Sequence, residues 1–181
     1  MPRIVDHAVF RADLLQRSFQ LFADKGYAAV TMRGLAQALG VSTGTLYHYF
    51  SGKPAIFEQM LQHRAAQDLA AAEADIAPDL PTADRLAAML RFLEARAEGL
   101  QGVLLVSLDA WRRADDEARA ALIRTARTYR DGLAARLGLS DDATARLLFS
   151  FVLGLLVHRT LDPESVDLAA HVALLVGLTP P

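Results

Sequence analysis

The chain predicts an all-α protein: a three-helix head carrying a helix-turn-helix, then a helical body, about nine helices in all. Three observations lead there. Residues 31–53, TMRGLAQALGVSTGTLYHYFSGK, split into two short helical patterns hinged at Gly40. Apolar residues elsewhere recur at helical spacing. Glycine and proline punctuation falls between those patterns. The expected division is a head over residues 1–51 and a body over 52–181, entered through a connecting helix over about 52–75.

Residues 1–6 read as a frayed arm. The first helix is expected over 7–25, with Leu14, Leu15, Ser18, Phe19 and Phe22 as its buried stripe and Gly26 as its stop. Arg11 sits one to two turns ahead of that stripe. Thr31 is suited to N-cap residues 32–39, where Leu35, Ala36 and Leu39 share one face. Gly40 enters the left-handed conformation cheaply and ends that helix. Val41 plugs the corner, and Ser42 caps residues 43–49. Two short helices joined by a tight glycine turn form a helix-turn-helix.

The outward residues of the second helix carry the functional signal. Leu46 points inward, which leaves Thr43, Thr45, Tyr47 and His48 outside, with no Asp or Glu among them. A merely solubilising helix carries mixed charges. A helix entering a DNA major groove needs short donors and acceptors and no anions. Lys53 begins the next helix, where the macrodipole disfavours a cation, so a docked phosphate would reconcile the two.

Pro54 suits the first turn of that helix. Ile56, Phe57, Met60 and Leu61 continue a core face, and residues 65–74 are mostly alanine. Residues 76–82, with two prolines, form the clearest linker, and Thr82 is a possible N-cap. A helix over 83–98 presents Leu86, Met89, Leu90 and Leu93; Gly99 and Gly102 are expected to break it. Residues 103–113 are apolar almost throughout and are expected to be deeply buried. The next helix reaches about 137, with Asp115/Arg119 and Arg127/Asp131 as i, i+4 surface pairs, and stops at Gly138.

Ser140 is expected to cap a helix to about 161 in which only Ser150 and Gly154 interrupt the apolar run 147–157. A last helix over 162–178 is also apolar on most faces. One chain of this size has few helices to cover both, so packing against a second copy about a two-fold axis is the economical arrangement. Ser150, Phe151, Gly154, Leu155, His158, His171 and Leu175 are the expected interface residues. The competing reading is a well-covered central helix of a monomer.

Composition narrows the classes. The 181 residues carry a net charge of −2. Residues 1–64 hold seven Lys and Arg against four Asp and Glu (+3), and the remainder holds twelve against seventeen (−5). A mildly basic head on an acidic body results. There is no cysteine, which removes disulfides, thiolate metal sites and a cysteine nucleophile. The first residues lack a secretion pattern, and the runs 147–157 and 168–178 are short for a bilayer, so a cytoplasmic protein is expected.

Catalytic and metal chemistry find little support. Gly40-Val41-Ser42-Thr43-Gly44 matches a hydrolase nucleophile elbow, but that turn follows a strand and here follows a helix. No glutamate has a histidine three residues on, as a di-iron bundle requires. Asp167/His171 and His158/Asp162 stand four apart; such lone pairs are surface hydrogen bonds far more often than ligands. No catalytic residue, metal site or cofactor is expected.

Leu14-Leu15, Phe22, Gly26-Tyr27, Thr31, Leu35-Ala36, Gly40-Val41-Ser42, Gly44-Thr45-Leu46-Tyr47, Tyr49-Phe50 and Lys53 together resemble the TetR-type transcriptional regulators. The resemblance covers residues 9 to about 64. It implies a DNA-binding head, a ligand-binding body and a homodimer on a palindromic duplex operator. Thr43, Gly44, Thr45 and Tyr49 would face the major groove, Arg33 could reach a base edge, Thr31, Tyr47 and Lys53 would hold phosphates, and His48 is counted with them among the DNA-binding residues. A basic residue at the position of Arg11 would touch phosphate, or be a solvated arginine. Thr43 stands where the family often has lysine. Helices that the family packs around an effector cavity carry Met60, His63, Met89, Leu93, Leu108, Trp111 and Tyr129; plain core is the bland reading of each. The expected function is a repressor released by an unknown small molecule, with a helical ligand-binding or scaffold protein that no longer binds DNA as the alternative.

Overall fold

In the computed structural model, residues 6–167 and 170–171 are described, and among them every regular element is an α-helix. These are α1 (His7–Lys25), α2 (Met32–Leu39), α3 (Thr43–Tyr49), α4 (Lys53–Asp75), α5 (Thr82–Arg113), α6 (Asp116–Leu137) and α7 (Asp142–Leu161). The chain forms two compact units: one of the residues up to Ala66 with Leu105–Thr125, the other of Gln67–Leu104 with the chain from Ala126.

In the first unit the head is built by local rules. Asp6, expected in a frayed arm, instead caps α1 by accepting from the N–H groups of Ala8 and Val9. Leu14, Leu15, Ser18 and Phe22 are buried along one stripe of α1. Gly26 ends the helix at φ 75°, ψ 156°, a region essentially closed to other residues. Phe57 of α4 lies under it, edge-on to Phe22 and Tyr27 at centroid distances of 5.2 and 4.7 Å. Arg17 of α1 donates to the carbonyl of Leu39 at 3.0 Å, tying the end of α2 to α1. Glu58 of α4 pairs with Arg124 of α6.

The second unit has an apolar core of Ala72, Ile76, Ala88, Met89, Phe92, Leu93, Leu100, Leu133, Leu137 and Leu156. Here α7 is capped by Asp141, not Ser140: its carboxylate accepts from the N–H groups of Ala143 and Thr144 and from the Thr144 hydroxyl. Those bonds hold the Asp141 carboxyl below its usual pKa.

Several expectations are corrected. Residues 83–113 are one helix, α5, not two separated at Gly99 and Gly102. A mid-helix glycine costs only about 1 kcal/mol relative to alanine, and Ala97, Leu100, Val103 and Val106, all buried, supply continuous anchorage through the break. Seven helices, not nine, therefore stand among the described residues. Residues 163–165 form a turn where the last helix was expected to start, and most of the remainder of that helix, including Leu175, lies outside the described residues. Deep burial of 103–113 is not seen either: Leu105, Leu108 and Trp111 are each about half exposed, at 49, 50 and 49%. Asp115 caps α6 by accepting from Ala118 N, so Arg119 lies 3.7 Å from Asp116 instead. Arg130, rather than Arg127, pairs with Asp131.

Only Ala145, Leu155 and Leu156 are buried along α7, while Leu147 and Leu161 are 70 and 80% exposed. By length and composition alone this twenty-residue helix could cross a membrane. The apolar run inside it is shorter, flanked by Arg146 and Arg159.

Candidate nucleic-acid interface

The interface is α3 and what holds it. Thr31 Oγ1 accepts from Gly34 N at 3.1 Å and starts α2. Gly40, at φ 71°, ψ 29°, turns the chain, and Val41 N donates back to the Ala36 carbonyl at 3.0 Å. Ser42 Oγ accepts from Thr45 N at 2.9 Å and starts α3. Leu46 is fully buried and pins α3 to the head; its outward face follows from helical geometry. Thr43, Gly44, Tyr47 and His48 are exposed, and Thr45 and Tyr49 are half-buried. Arg33 is exposed on α2. The sequence-derived set is thus accessible on the head, with two qualifications. The Thr45 hydroxyl is bonded to Ser42 Oγ at 2.8 Å, and Thr31 Oγ1 serves its own helix.

Lys53 has a structural partner that spacing did not suggest. Its Nζ donates to the Tyr27 carbonyl at 3.0 Å and stands 4.3 Å from the Tyr27 ring centroid. Burial lowers the Lys53 pKa, and the Asp115 carboxylate opposes that shift. An ammonium has three donors, so two remain for a phosphate. Arg11 likewise has company: it donates to Gln59 Oε1 at 2.5 Å and lies over the Phe50 ring.

Tyr27 ties this part of the head to α5. Its N–H donates to Asp109 Oδ2 at 2.9 Å. A side chain on the adjacent Gly26 would meet that same oxygen at 2.8 Å and push the Asp109 carboxylate from its bond to Tyr27 N, while the positive φ itself calls for glycine. The Tyr27 hydroxyl is buried with no hydrogen-bond partner among the described residues. Burial first, then the Asp115 and Glu117 carboxylates, push its pKa up to about 12. The unfolded phenol ionises near 10. Its contribution to stability is therefore complete below about pH 10 and is lost as pH rises towards 12, by at most about 1.4 kcal/mol per pH unit. Lys53, with its lowered pKa, works in the opposite sense below about pH 10.5. The Tyr27→Phe variant should melt no lower than wild type at neutral pH, and up to about 1 kcal/mol more stably. The difference should widen in alkaline denaturation; curves that stay parallel from neutral pH to about 12 would contradict the assignment.

The proposed effector residues fall in both units. Met60 is in the head's core, His63 is half-buried with Nε2 unpartnered, and Leu108 and Trp111 are exposed, all in the first unit. Met89, Leu93 and Tyr129 belong to the second unit's core, where the Tyr129 hydroxyl donates to buried Asp68 at 2.7 Å. A small apolar cleft in that unit is lined by Leu93, Ala97, Val152, Leu155, Leu156 and Arg159. Leu155, named above for the dimer interface, is thus largely used inside its own chain. Ser150 and Gly154 are exposed, Phe151 is half-buried, and His158 bonds to Ser165 Oγ at 3.0 Å. His171 donates from Nδ1 to the Asp167 carbonyl at 2.6 Å, leaving the Asp167 carboxylate to accept from Ala170 N. Among the described residues no three potential ligands cluster as a metal site would require.

Three polar residues were missed. Asp109 interrupts the apolar run 103–111, and a lone anion in such a run is a readable sign of a buried partner. Asp68 stands in the alanine-rich stretch with the same sign. His7, which touches Tyr49, gave no sequence signal at all.

Comparison with known proteins agrees with this geometry. Residues 14–60 match the bacterial regulatory proteins of the tetR family. The transcriptional repressor KstR2 of Mycolicibacterium smegmatis is 40% identical over 52 residues, 29% of this chain and 25% of that protein. The chain thus spans about a quarter of the length of that relative. The regulator BetI of Rhizobium meliloti is 27% identical over 183 residues, covering 96% of this chain and 89% of its own. The crystal structure of the TetR-family regulator PfmR from Thermus thermophilus superposes with a TM-score of 0.58 at 27% identity, covering 81% and 82% of the two chains. With the Thr31 and Ser42 caps, the left-handed glycine turn and the outward α3 all inside the matched stretch, the head of this chain matches the tetR family of bacterial regulatory proteins over residues 14–60.

Proposed function

We propose that the chain is a cytoplasmic transcriptional repressor that binds a palindromic operator as a homodimer and is released by a small molecule. The observation that carries this reading is the exposed, anion-free face of α3, held outward by fully buried Leu46. Thr43, Thr45 and Tyr49 face the major groove, Gly44 permits the close approach, Arg33 reaches a base edge, Thr31, Tyr47 and Lys53 hold phosphates, and His48 lies among these DNA-binding residues. The head is residues 1–51 and the effector and dimer functions lie in 52–181. The exposed apolar face of α7 supports self-association.

A dimer reads half-sites about 34–36 Å apart. An effector must favour the released arrangement by about 5.5 kcal/mol to move the population from mostly bound to mostly free. Met60, His63, Met89, Leu93, Leu108, Trp111 and Tyr129 remain the candidates for sensing it.

The test is footprinting on the DNA beside the chain's own gene, followed by titration across salt. Wild-type affinity should fall steeply with salt. The Tyr47→Phe, Lys53→Ala double variant should bind more weakly with a shallower salt slope, its melting temperature serving as control for the lost Lys53–Tyr27 contact. An unchanged affinity and slope would remove the phosphate assignment. No protected site at all would favour a ligand-binding or scaffold protein instead.

A further inference from the structure

At the outer end of α3 the Tyr49 hydroxyl lies 2.6 Å from Nδ1 of His7, in the first turn of α1. The ring centroids are 5.9 Å apart, and the Phe10 ring lies 5.6 Å from that of Tyr49. This contact spans 42 residues of sequence. It fixes the one phenol of α3 that is half-buried rather than exposed.

We propose that His7 is a positioning residue for DNA recognition, and that its protonation decides which way the Tyr49 O–H points. The inference rests on the DNA-binding reading above. When His7 is neutral with its proton on Nε2, Nδ1 can only accept, so the Tyr49 hydroxyl donates inward to it. Tyr49 then offers DNA lone pairs alone. When His7 takes a proton from solvent, Nδ1–H donates to the Tyr49 oxygen. The phenol hydrogen is released and can donate to an acceptor on the duplex. Phosphate oxygens are only acceptors, and so are guanine N7 and O6 and thymine O4. Those acceptors, the phosphates above all, are matched by the second state and not by the first; only the amino groups of adenine and cytosine suit the first. The neutral Nδ1–H tautomer would free the phenol hydrogen as well, but the polyanion favours the imidazolium over either neutral tautomer, so binding through that hydrogen is linked to uptake of a proton at His7.

The surroundings permit this exchange. α3 brings His48 and Tyr49 to His7, with the His48 centroid 6.5 Å away, and contains no acidic residue. On its own helix the nearest charged groups are Asp6 and Arg11. Asp6 is committed to the Ala8 and Val9 N–H groups, and Arg11 to Gln59 and Phe50. His7 is exposed, so its proton exchanges with solvent directly. Histidine is the side chain that ordinarily changes charge between pH 5 and 8.

The experiment is fluorescence anisotropy of the footprinted DNA fragment with the full chain, from about pH 8 to about pH 6. Wild-type affinity should rise as pH falls, by up to about tenfold per pH unit for one linked proton. His7→Asn keeps a hydrogen-bonding group at the Nδ1 position but cannot titrate; it should bind with intermediate affinity and a flattened pH response. Tyr49→Phe removes the hydroxyl and should flatten the response equally, although His7 is intact. A purely structural role for His7 would lower affinity without changing the pH profile. Binding whose pH response survives both substitutions, as it would if His48 were responsible, overturns this inference alone. Failure of wild type to bind at any pH overturns it together with the DNA-binding reading.

Discussion

Phe57→Ala should cost the head about 3–5 kcal/mol and abolish operator binding through loss of structure. Phe57 is fully buried and meets Phe22 and Tyr27 edge-on, so truncation removes both ring contacts and leaves a cavity. Those neighbours belong to α1 and to the turn after it. Gly26 has a backbone conformation that few residues share, and Tyr27 N is fixed to Asp109, so the walls cannot readily collapse inward. A cavity that cannot relax sits at the high end of the range. Domains have only about 5–15 kcal/mol in hand, so the loss should be visible as an early transition in urea, followed by circular dichroism. The fluorescence of Trp111, in the same unit, gives a second probe. A shift below about 1 kcal/mol would show that the ring cluster does not organise the head.

Gly154→Arg should leave the single chain folded and destroy the proposed homodimer. A Cβ added at Gly154 meets nothing within 4 Å, and the position is exposed on α7. Within the helix, replacing glycine should gain roughly 0.5–1 kcal/mol. Across a two-fold axis the same side chain appears twice, facing its copy, and brings two like charges into an apolar contact. Sedimentation should then show a folded monomer, with a melting temperature lowered by no more than the lost association accounts for. Operator affinity should drop by roughly 10²–10⁴-fold, because each head then binds alone. A variant that remains dimeric would place the interface elsewhere than the Ser150–Gly154 face of α7. Leu155→Arg would be a poor substitute for this test: Leu155 is 6% exposed in its own chain, so the variant would also disturb the second unit's packing.

The candidate site was legible in the sequence where its geometry is local. Thr31 and Ser42 cap the helices that follow them within three residues, and Gly40 turns the chain between them. Such features depend on neighbours a few residues away, and residue type and spacing report them directly. Lys53 shows where this stops. Its position at a helix start was correct, but its contact with the Tyr27 carbonyl joins residues 26 apart. The α5 helix failed for a related reason. Helix propensity at Gly99 and Gly102 is worth about 1 kcal/mol each, and burial of the residues around them outweighs that.

The sequence by itself determined an all-helical chain, the caps and turn of the head, the inward direction of Leu46 and the absence of anions on the face opposite. Each follows from backbone chemistry over one or two helical turns. Only the tertiary structure decided that α5 runs unbroken, that Asp109 fixes Tyr27, that His7 meets Tyr49 and that Leu155 packs inside its own chain while Gly154 does not. Those outcomes depend on which surfaces meet after the chain has closed long loops, and one-dimensional spacing does not encode such meetings.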